Sequence, residues 1–167
     1  AQGKYGSAVS FDGSDDYVSI GNLSSFYTAG SISFWVNASE MANYRNPLAT
    51  KRAGSNAGIR FEENASGNFL AVVGNDAGTY ALGTYIASGM QTNRWYYVAL
   101  VWDTSANNLK GYLDGVQVFN QSHTLWPTTL PDLALGTGFS VDAARQWKGR
   151  VDDVRVYGLL NTNRGVV

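Results

Sequence analysis

Short segments recur along the whole chain in which large apolar residues alternate with small or polar ones. In two of them Ile32 and Phe34 flank Ser33, and Val98 and Leu100 flank Ala99. Because successive side chains of a β-strand point to opposite faces, every second residue of such segments should face a core. Apolar residues at helical spacing do not extend over any window of roughly 11–18 residues. The pattern therefore predicts a chain built from β-strands.

The predicted strands are separated by segments rich in Gly, Asn, Asp and Ser. They lie near residues 7–13, 16–21, 31–38, 47–52, 58–63, 69–74, 80–87, 95–103, 109–114, 116–120, 132–137 and 147–157. Asp114-Gly115 separates two of them and is typical of a two-residue hairpin turn, whose two positions both require positive φ. So many short strands predict an all-β, antiparallel sandwich or barrel. No repeat or linker divides residues 1–167, so we expect a single domain.

Composition narrows the function classes. The 167 residues carry a net charge of −1 without a basic or acidic run, which gives no electrostatic basis for binding nucleic acid or a membrane surface. No stretch approaches the roughly 20 apolar residues of a membrane span. Cysteine is absent, which excludes disulfides and thiolate metal sites. The chain begins with Ala1 rather than Met, so we expect a segment of a longer, secreted bacterial precursor.

Four stretches carry a family resemblance. They are GKYGSAVSFDG at residues 3–13, SISFWV at 31–36, GYLDG at 111–115 and WKGRVDDVRVY at 147–157. In this order they resemble the laminin-G-like, concanavalin A-like jelly-roll domains. The resemblance implies two antiparallel sheets packed face to face. It leaves function open, because this fold carries carbohydrate-binding modules, adhesion modules and glycan-cleaving enzymes.

Carboxylates argue against catalysis. Glycosidases need a pair of carboxylates that flank the bond to be cleaved. Laminarinase-like enzymes of this fold place them in a Glu-x-Asp-x-x-Glu strand. The glutamates of this chain are Glu40, Glu62 and Glu63, and no such motif is present. Glu62 and Glu63 are adjacent, so on a strand they point to opposite faces. We therefore expect a non-catalytic protein.

Aspartates near predicted strand ends suggest a structural Ca²⁺ ion, since Ca²⁺ takes six to eight oxygen ligands. By resemblance to laminarinase-like proteins, Asp152 would supply ligands together with the N-terminal region. Asp12 and Gly13 are the expected partners there, with Asp15 or Asp16 behind them. The alternative is that Asp12 and Asp15 only cap turns.

Tryptophan is the natural partner for the apolar face of a sugar ring. The resemblance places Trp35, Trp95 and Trp147 in the core, and Trp102 shares a face with core residues. Trp126 lies in a Leu-Trp-Pro loop outside any strand pattern. It is either a ligand-binding residue or a ring that folds back over the sandwich edge.

A second set of candidate ligand residues combines cations with tyrosines. Arg60 and Glu62 alternate with Ile59 and Phe61, so they should occupy an outer sheet face. Guanidinium groups on such a face suit the carboxylates or sulfates of an acidic polysaccharide. The alternative is an ordinary solvated sheet face. The full set is Tyr44, Arg45, Lys51, Arg60, Glu62 and Tyr112.

These features favour a non-catalytic carbohydrate-binding module that recognises a polysaccharide or glycan. We expect a monomeric domain, tethered to neighbouring domains of a longer chain, because weak single modules gain affinity through tethering. The alternative from a different class is a laminin-G-like adhesion or protein-interaction module without a sugar site.

Overall fold

The computed structural model describes residues 1–23, 28–50, 57–80, 84–138 and 143–159. Within these ranges the chain forms β-strands and one 3₁₀ helix, Ala143–Arg145, and no α-helix. The strands are β1 (Val9–Asp12), β2 (Val18–Leu23), β3 (Ala29–Ala38), β4 (Arg45–Thr50), β5 (Gly58–Glu63), β6 (Phe69–Gly74), β7 (Thr84–Ala87), β8 (Tyr96–Asp103), β9 (Asn108–Leu113), β10 (Val116–Ser122), β11 (Leu130–Leu135) and β12 (Lys148–Leu159).

The strands form two six-stranded sheets that enclose one core. The first sheet has the order β1-β12-β3-β8-β9-β10, and the second has the order β2-β11-β4-β5-β6-β7. Neighbouring strands are antiparallel throughout both sheets. The predicted antiparallel sandwich is confirmed, and each predicted strand overlaps an observed one.

Alternation decides which side chains enter the core. Phe34 and Val98 are partners across β3 and β8, and both are fully buried. From the second sheet, Phe61 meets Phe34 edge to face, with 4.8 Å between the ring centroids. This pair joins the two sheets through the middle of the core. The predicted hairpin turn is also present, with φ of 49° at Asp114 and 84° at Gly115.

Only two of the four tryptophans expected in the core lie there. Trp102 and Trp147 are buried. The placement of Trp35 and Trp95 in the core is wrong, because both are half-buried on the outer face of the first sheet. Trp35 is directly opposite Tyr97. The alternation that buries the neighbours of each residue on its strand turns the rings of Trp35 and Tyr97 outward.

The N-terminal segment is fastened to the first sheet by one carboxylate. Asp152 accepts hydrogen bonds at Oδ2 from the backbone amides of Lys4, at 2.8 Å, and Tyr5, at 3.1 Å. Its Oδ1 accepts the amide of Asp153 at 2.8 Å. A Cβ at Gly3 would lie 2.5 Å from Oδ2 and 2.9 Å from the backbone carbonyl carbon of Ser7, so a larger residue there would displace the carboxylate or the backbone. The resemblance implies that Asp152 binds calcium together with the N-terminal region, and in the structure its carboxylate also bonds the N-terminal segment directly.

Asp152→Ala should destabilise the fold, because three backbone amides lose a charged acceptor. We expect the free energy of unfolding to fall by about 1–3 kcal/mol in urea titrations. The titrations should contain EDTA so that bound metal does not contribute.

Asp15→Ala serves as the matched control, since Asp15 is an exposed aspartate. Its effect should stay within about 0.5 kcal/mol. Equal stability of the Asp152 and Asp15 variants would contradict the pinning role of Asp152.

Candidate functional site

The outer face of the second sheet carries a compact group of charges. On β5, Ile59 and Phe61 enter the core while Arg60 and Glu62 point the opposite way, as the alternation predicted. Arg60 Nε lies 3.2 Å from Glu62 Oε2. Arg145 Nη1, from the 3₁₀ helix, lies 3.3 Å from the same oxygen. One carboxylate therefore holds two guanidinium groups side by side.

Two tyrosines flank these charges. Arg145 lies over the ring of Tyr44, with 5.4 Å from Cζ to the centroid, and Arg60 lies over Tyr80 at 5.2 Å. Both tyrosines are exposed, Tyr44 more than Tyr80. We call Tyr44, Arg60, Glu62, Tyr80 and Arg145 the arginine–tyrosine cluster.

The cluster combines an excess positive charge with two aromatic faces. Its two guanidinium groups and one carboxylate leave one net positive charge. The ion-paired side chains are 11–19% exposed, so they are partly shielded from solvent and their interactions with a ligand are less screened than at a fully exposed surface. Guanidinium groups offer several donors in fixed geometry. The arrangement can therefore bind oxygen-rich or anionic groups beside rings that stack on apolar faces.

Arg45, a predicted ligand residue, makes bonds within the protein instead. Its Nη1 donates to the carbonyls of Gly13, at 3.0 Å, and Gln146, at 2.7 Å. Its Nη2 forms an ion pair with Glu40 at 2.9 Å. Arg45 thus ties the start of β4 to the segments that follow β1 and precede β12.

A buried carboxyl supports the loop that carries Tyr44. Glu63 is 1% exposed. The amide of Ala42 donates to its Oε1 at 3.3 Å, and the amide of Tyr44 donates to its backbone carbonyl at 2.9 Å. Burial raises the pKa of Glu63 to about 8, against the opposing effects of the Ala42 amide and the Arg45 charge. Oε2 is buried without a hydrogen-bond partner, which suits a protonated carboxyl better than an ionised one.

Tyr112, another predicted ligand residue, does not join this cluster. It lies on β9 of the first sheet, whereas Arg60 and Glu62 lie on β5 of the second, so the three side chains do not share a sheet face. Lys51 lies outside the described residues.

Trp126 folds back over the sandwich edge. Its ring packs against the core and meets His123 edge to face, with 4.5 Å between centroids. Its Nε1 donates to Asn107 Oδ1 at 3.4 Å. Burial lowers the pKa of His123, although a hydrogen bond to the Leu125 carbonyl opposes the shift. The structure therefore matches the alternative interpretation of Trp126, as a ring that covers an edge.

The predicted calcium ligands are divided between two places. Asp12 is opposite Lys148 on β12, and Asp152 lies four residues further along that strand, about 13 Å away at strand spacing. Asp152 is also bonded to backbone amides. Carboxylate oxygens of Asp12, Asp15 and Asp16 lie within 4.8 Å of one another on the exposed surface. Within this trio, Asp12 accepts the amide of Ser14 and Asp16 accepts the amide of Asp12. The four predicted ligands therefore do not form one site, although an acidic trio is present at the N-terminal end of the set.

Arg145 is the cluster residue that the sequence did not indicate. It comes from the segment before β12, 83 residues from its partner Glu62. No periodicity or motif marks it, since only the return of the chain across the second sheet brings the two together. Tyr80 starts the predicted strand 80–87, but nothing in the sequence favours it over Tyr85 as a ligand residue.

No helix in the described part of the chain is long and apolar enough to cross a membrane.

Comparison with known proteins identifies the family. A sequence model of the concanavalin A-like lectin/glucanases superfamily matches residues 12–163, which is most of the chain. The chain therefore belongs to this superfamily. No curated protein sequence matches it significantly.

Solved structures share the fold at low sequence identity. Domain 4 of AbnA, a GH43 extracellular arabinanase from Geobacillus stearothermophilus solved with arabinotriose, gives a TM-score of 0.72 at 19% identity, over 95% of this chain and 73% of that one. The CBM40 domain of the Ruminococcus gnavus IT-sialidase gives 0.64 at 12%, over 89% and 93%. A native heptameric SAP-like pentraxin from Limulus polyphemus gives 0.64 at 14%, over 89% and 74%.

Glu63→Gln should remove a pH dependence of stability. Because the folded pKa of about 8 lies above the ordinary value of 4.5, the carboxyl supports the fold fully below pH 4.5 and this support is lost as pH rises to about 8. Glutamine cannot ionise. At pH 8 the unfolding free energy of the variant should exceed that of the wild type by about 1–3 kcal/mol.

Urea denaturation of the variant and the wild type at pH 6.5 and pH 8 measures this effect, since His123 is present in both proteins and its contribution cancels in the comparison. Glu62→Gln is the control, because it removes a carboxylate from the outer face of the same strand. A wild-type pH slope in Glu63→Gln would show that Glu63 does not carry the effect.

Proposed function

We propose that this domain is a non-catalytic carbohydrate-binding module whose ligand site is the arginine–tyrosine cluster. The observation that carries the proposal is the pairing of Arg60 and Arg145 on the single carboxylate of Glu62, between the exposed rings of Tyr44 and Tyr80. Aromatic faces beside fixed polar groups are what sugar recognition requires.

Structures with this fold support the ligand class. Domain 4 of AbnA was solved in complex with arabinotriose, and the Ruminococcus gnavus CBM40 domain was solved bound to alpha2,3 sialyllactose. At 19% and 12% identity they share the fold with this chain. The ligand class for this chain therefore rests on its own side chains together with that precedent.

The charge of the cluster favours an acidic sugar. The guanidinium groups of Arg60 and Arg145 attract a carboxylate or sulfate, while the rings of Tyr44 and Tyr80 contact the apolar faces of neighbouring sugar units. Glu62 fixes the orientation of both guanidinium groups, so less side-chain freedom is lost when the ligand binds.

The same geometry does not provide glycoside hydrolysis. That reaction needs two carboxyl groups about 5–9.5 Å apart across the scissile bond. Glu62 is the one carboxylate in the cluster, and it is held by two arginines. Glu63 follows it but points to the opposite side of the strand and is buried.

We propose that the module acts outside the cell, as a monomeric domain tethered to neighbouring domains.

A glycan array with and without EDTA tests the function, and Arg145→Gln and Tyr44→Ala test the site. We expect acidic glycans to bind, with about tenfold loss of affinity in Arg145→Gln and a severalfold loss in Tyr44→Ala. Tyr157→Ala, which removes a tyrosine of similar exposure from the other sheet, should bind normally.

Absence of binding to any glycan would overturn the proposed function and favour the adhesion-module alternative. Glycan binding that is unchanged in Arg145→Gln and Tyr44→Ala would keep the function and remove the arginine–tyrosine cluster as its site.

We also retain a structural Ca²⁺ ion as a proposal, with carboxylates from Asp12, Asp15 and Asp16 as ligands. Their oxygens lie close enough to share one ion. Calcium should raise the melting temperature, and Asp15→Asn should abolish the increase. Asp152→Asn should leave the calcium-dependent increase intact, because Asp152 lies apart from the trio. Equal melting temperatures in calcium and in EDTA would show that this ion is not part of the fold.

A further inference from the structure

The outer face of the first sheet carries a second aromatic surface, on the opposite side of the sandwich from the arginine–tyrosine cluster. Trp35 and Tyr97 are register partners on β3 and β8, and their rings lie 5.2 Å apart. The ring of Tyr5 meets Trp35 edge to face at 5.8 Å. Trp95 precedes β8 and lines the same pocket as Trp35 and Tyr97. We call Tyr5, Trp35, Trp95 and Tyr97 the aromatic ledge.

The position of the ledge is fixed by the N-terminal segment. Asp152 bonds the amides of Lys4 and Tyr5, and Arg150 donates to the carbonyl of Gln2 at 3.1 Å. Arg150 also lies over the ring of Trp95, 5.3 Å from its centroid. These contacts hold the segment beside β3, so Tyr5 extends the row of rings.

The ledge borders an open pocket of about 660 Å³, a size that suits a small ligand or a few sugar units. Half-buried tryptophan and tyrosine rings supply apolar faces along it. The pocket is lined by Lys4, Trp35, Arg94, Trp95, Tyr97, Asp114 and Gly115. Rings that are partly exposed around a pocket of this volume are the arrangement in which a pyranose face can stack.

Charge at the ledge favours an anionic occupant. Lys4 and Arg94 line the pocket, and Lys4 Nζ lies 4.7 Å from the centre of the Trp35 ring. Of the nearby carboxylates, Asp114 accepts the amide of Tyr97 at 2.8 Å, and Asp152 accepts the amides of the N-terminal segment. The pocket lining therefore contains two cations, Lys4 and Arg94, against one carboxylate, Asp114, and carries one net positive charge.

We propose that the aromatic ledge is a second saccharide-binding surface, which takes a uronate-containing or sulfated glycan chain. A sugar ring stacks on Trp35 and Tyr97. Lys4, whose side chain is long and exposed, moves from the Trp35 ring to the carboxylate or sulfate of the ligand. Because the ledge and the cluster lie on opposite outer faces, the domain can hold two glycan chains at once. The ligand class rests on the proposed function, but the ledge shares no residue with the arginine–tyrosine cluster.

Tryptophan fluorescence separates the two surfaces, since the ledge contains Trp35 and Trp95 while the cluster contains no tryptophan. The probes are polygalacturonate oligosaccharides and dextran sulfate, with methyl-esterified oligosaccharides and dextran as uncharged counterparts. We expect at least one acidic probe to change the fluorescence of the wild type, and its uncharged counterpart to have a much weaker effect. No response to either acidic probe would overturn the proposal.

Variants on the exposed N-terminal segment test the ledge without disturbing the core. Tyr5→Ala should weaken the fluorescence-detected affinity by about two- to tenfold, and Lys4→Gln by about two- to fivefold, with less sensitivity to salt. Trp35→Ala should abolish most of the signal. Tyr157→Ala, on the same sheet but outside the pocket beside the ledge, is the matched control and should respond as the wild type does.

Arg145→Gln distinguishes failure of the ledge from failure of the proposed function. The fluorescence response should persist in Arg145→Gln while total binding, measured by calorimetry, falls. Normal fluorescence titrations in both Tyr5→Ala and Lys4→Gln would overturn the ledge and leave the arginine–tyrosine cluster standing. Loss of the fluorescence response in Arg145→Gln would show one site and overturn the ledge. Self-association of the wild type that Tyr5→Ala abolishes would identify a second copy as the occupant and overturn it as well.

Discussion

Burial of one face of each sheet against the other is the constraint on which the rest of this molecule depends. The core, in which Phe34 packs against Phe61, contains every second side chain of the central strands. Each Å² of apolar surface that it removes from water stabilises the fold by roughly 25 cal/mol. The intervening residues must then point outward. Both candidate binding surfaces are products of this constraint, since Arg60 and Trp35 each lie between two core residues on their strands.

Adjacent residues consequently have opposite chemistry. Glu62 points outward, pairs with two arginines and orients a ligand site, whereas Glu63 enters the interior, where burial favours its protonated form. The buried carboxyl still affects the site, because it bonds the loop that presents Tyr44. Glu63 therefore affects both the stability of the fold and the position of Tyr44, although it does not itself contact the proposed ligand.

Asp152 likewise connects the stability of the fold with a proposed binding surface, the aromatic ledge. Its carboxylate holds the N-terminal segment on the first sheet, and that segment delivers Lys4 and Tyr5 to the ledge. The bonds of Asp152 run directly to backbone amides, and the acidic trio at Asp12, Asp15 and Asp16, which we propose as a calcium site, lies elsewhere.

The sequence by itself determined the class of fold, the strands and the outward direction of Arg60 and Glu62. These follow from a two-residue period and from turn residues such as Asp114-Gly115, which act over a few neighbouring positions. Only the tertiary structure decided what those side chains meet. It brought Arg145 to Glu62, separated Tyr112 from Arg60 and returned Trp126 to the sandwich edge. Such contacts depend on strand order and register between distant segments, and no local pattern encodes them.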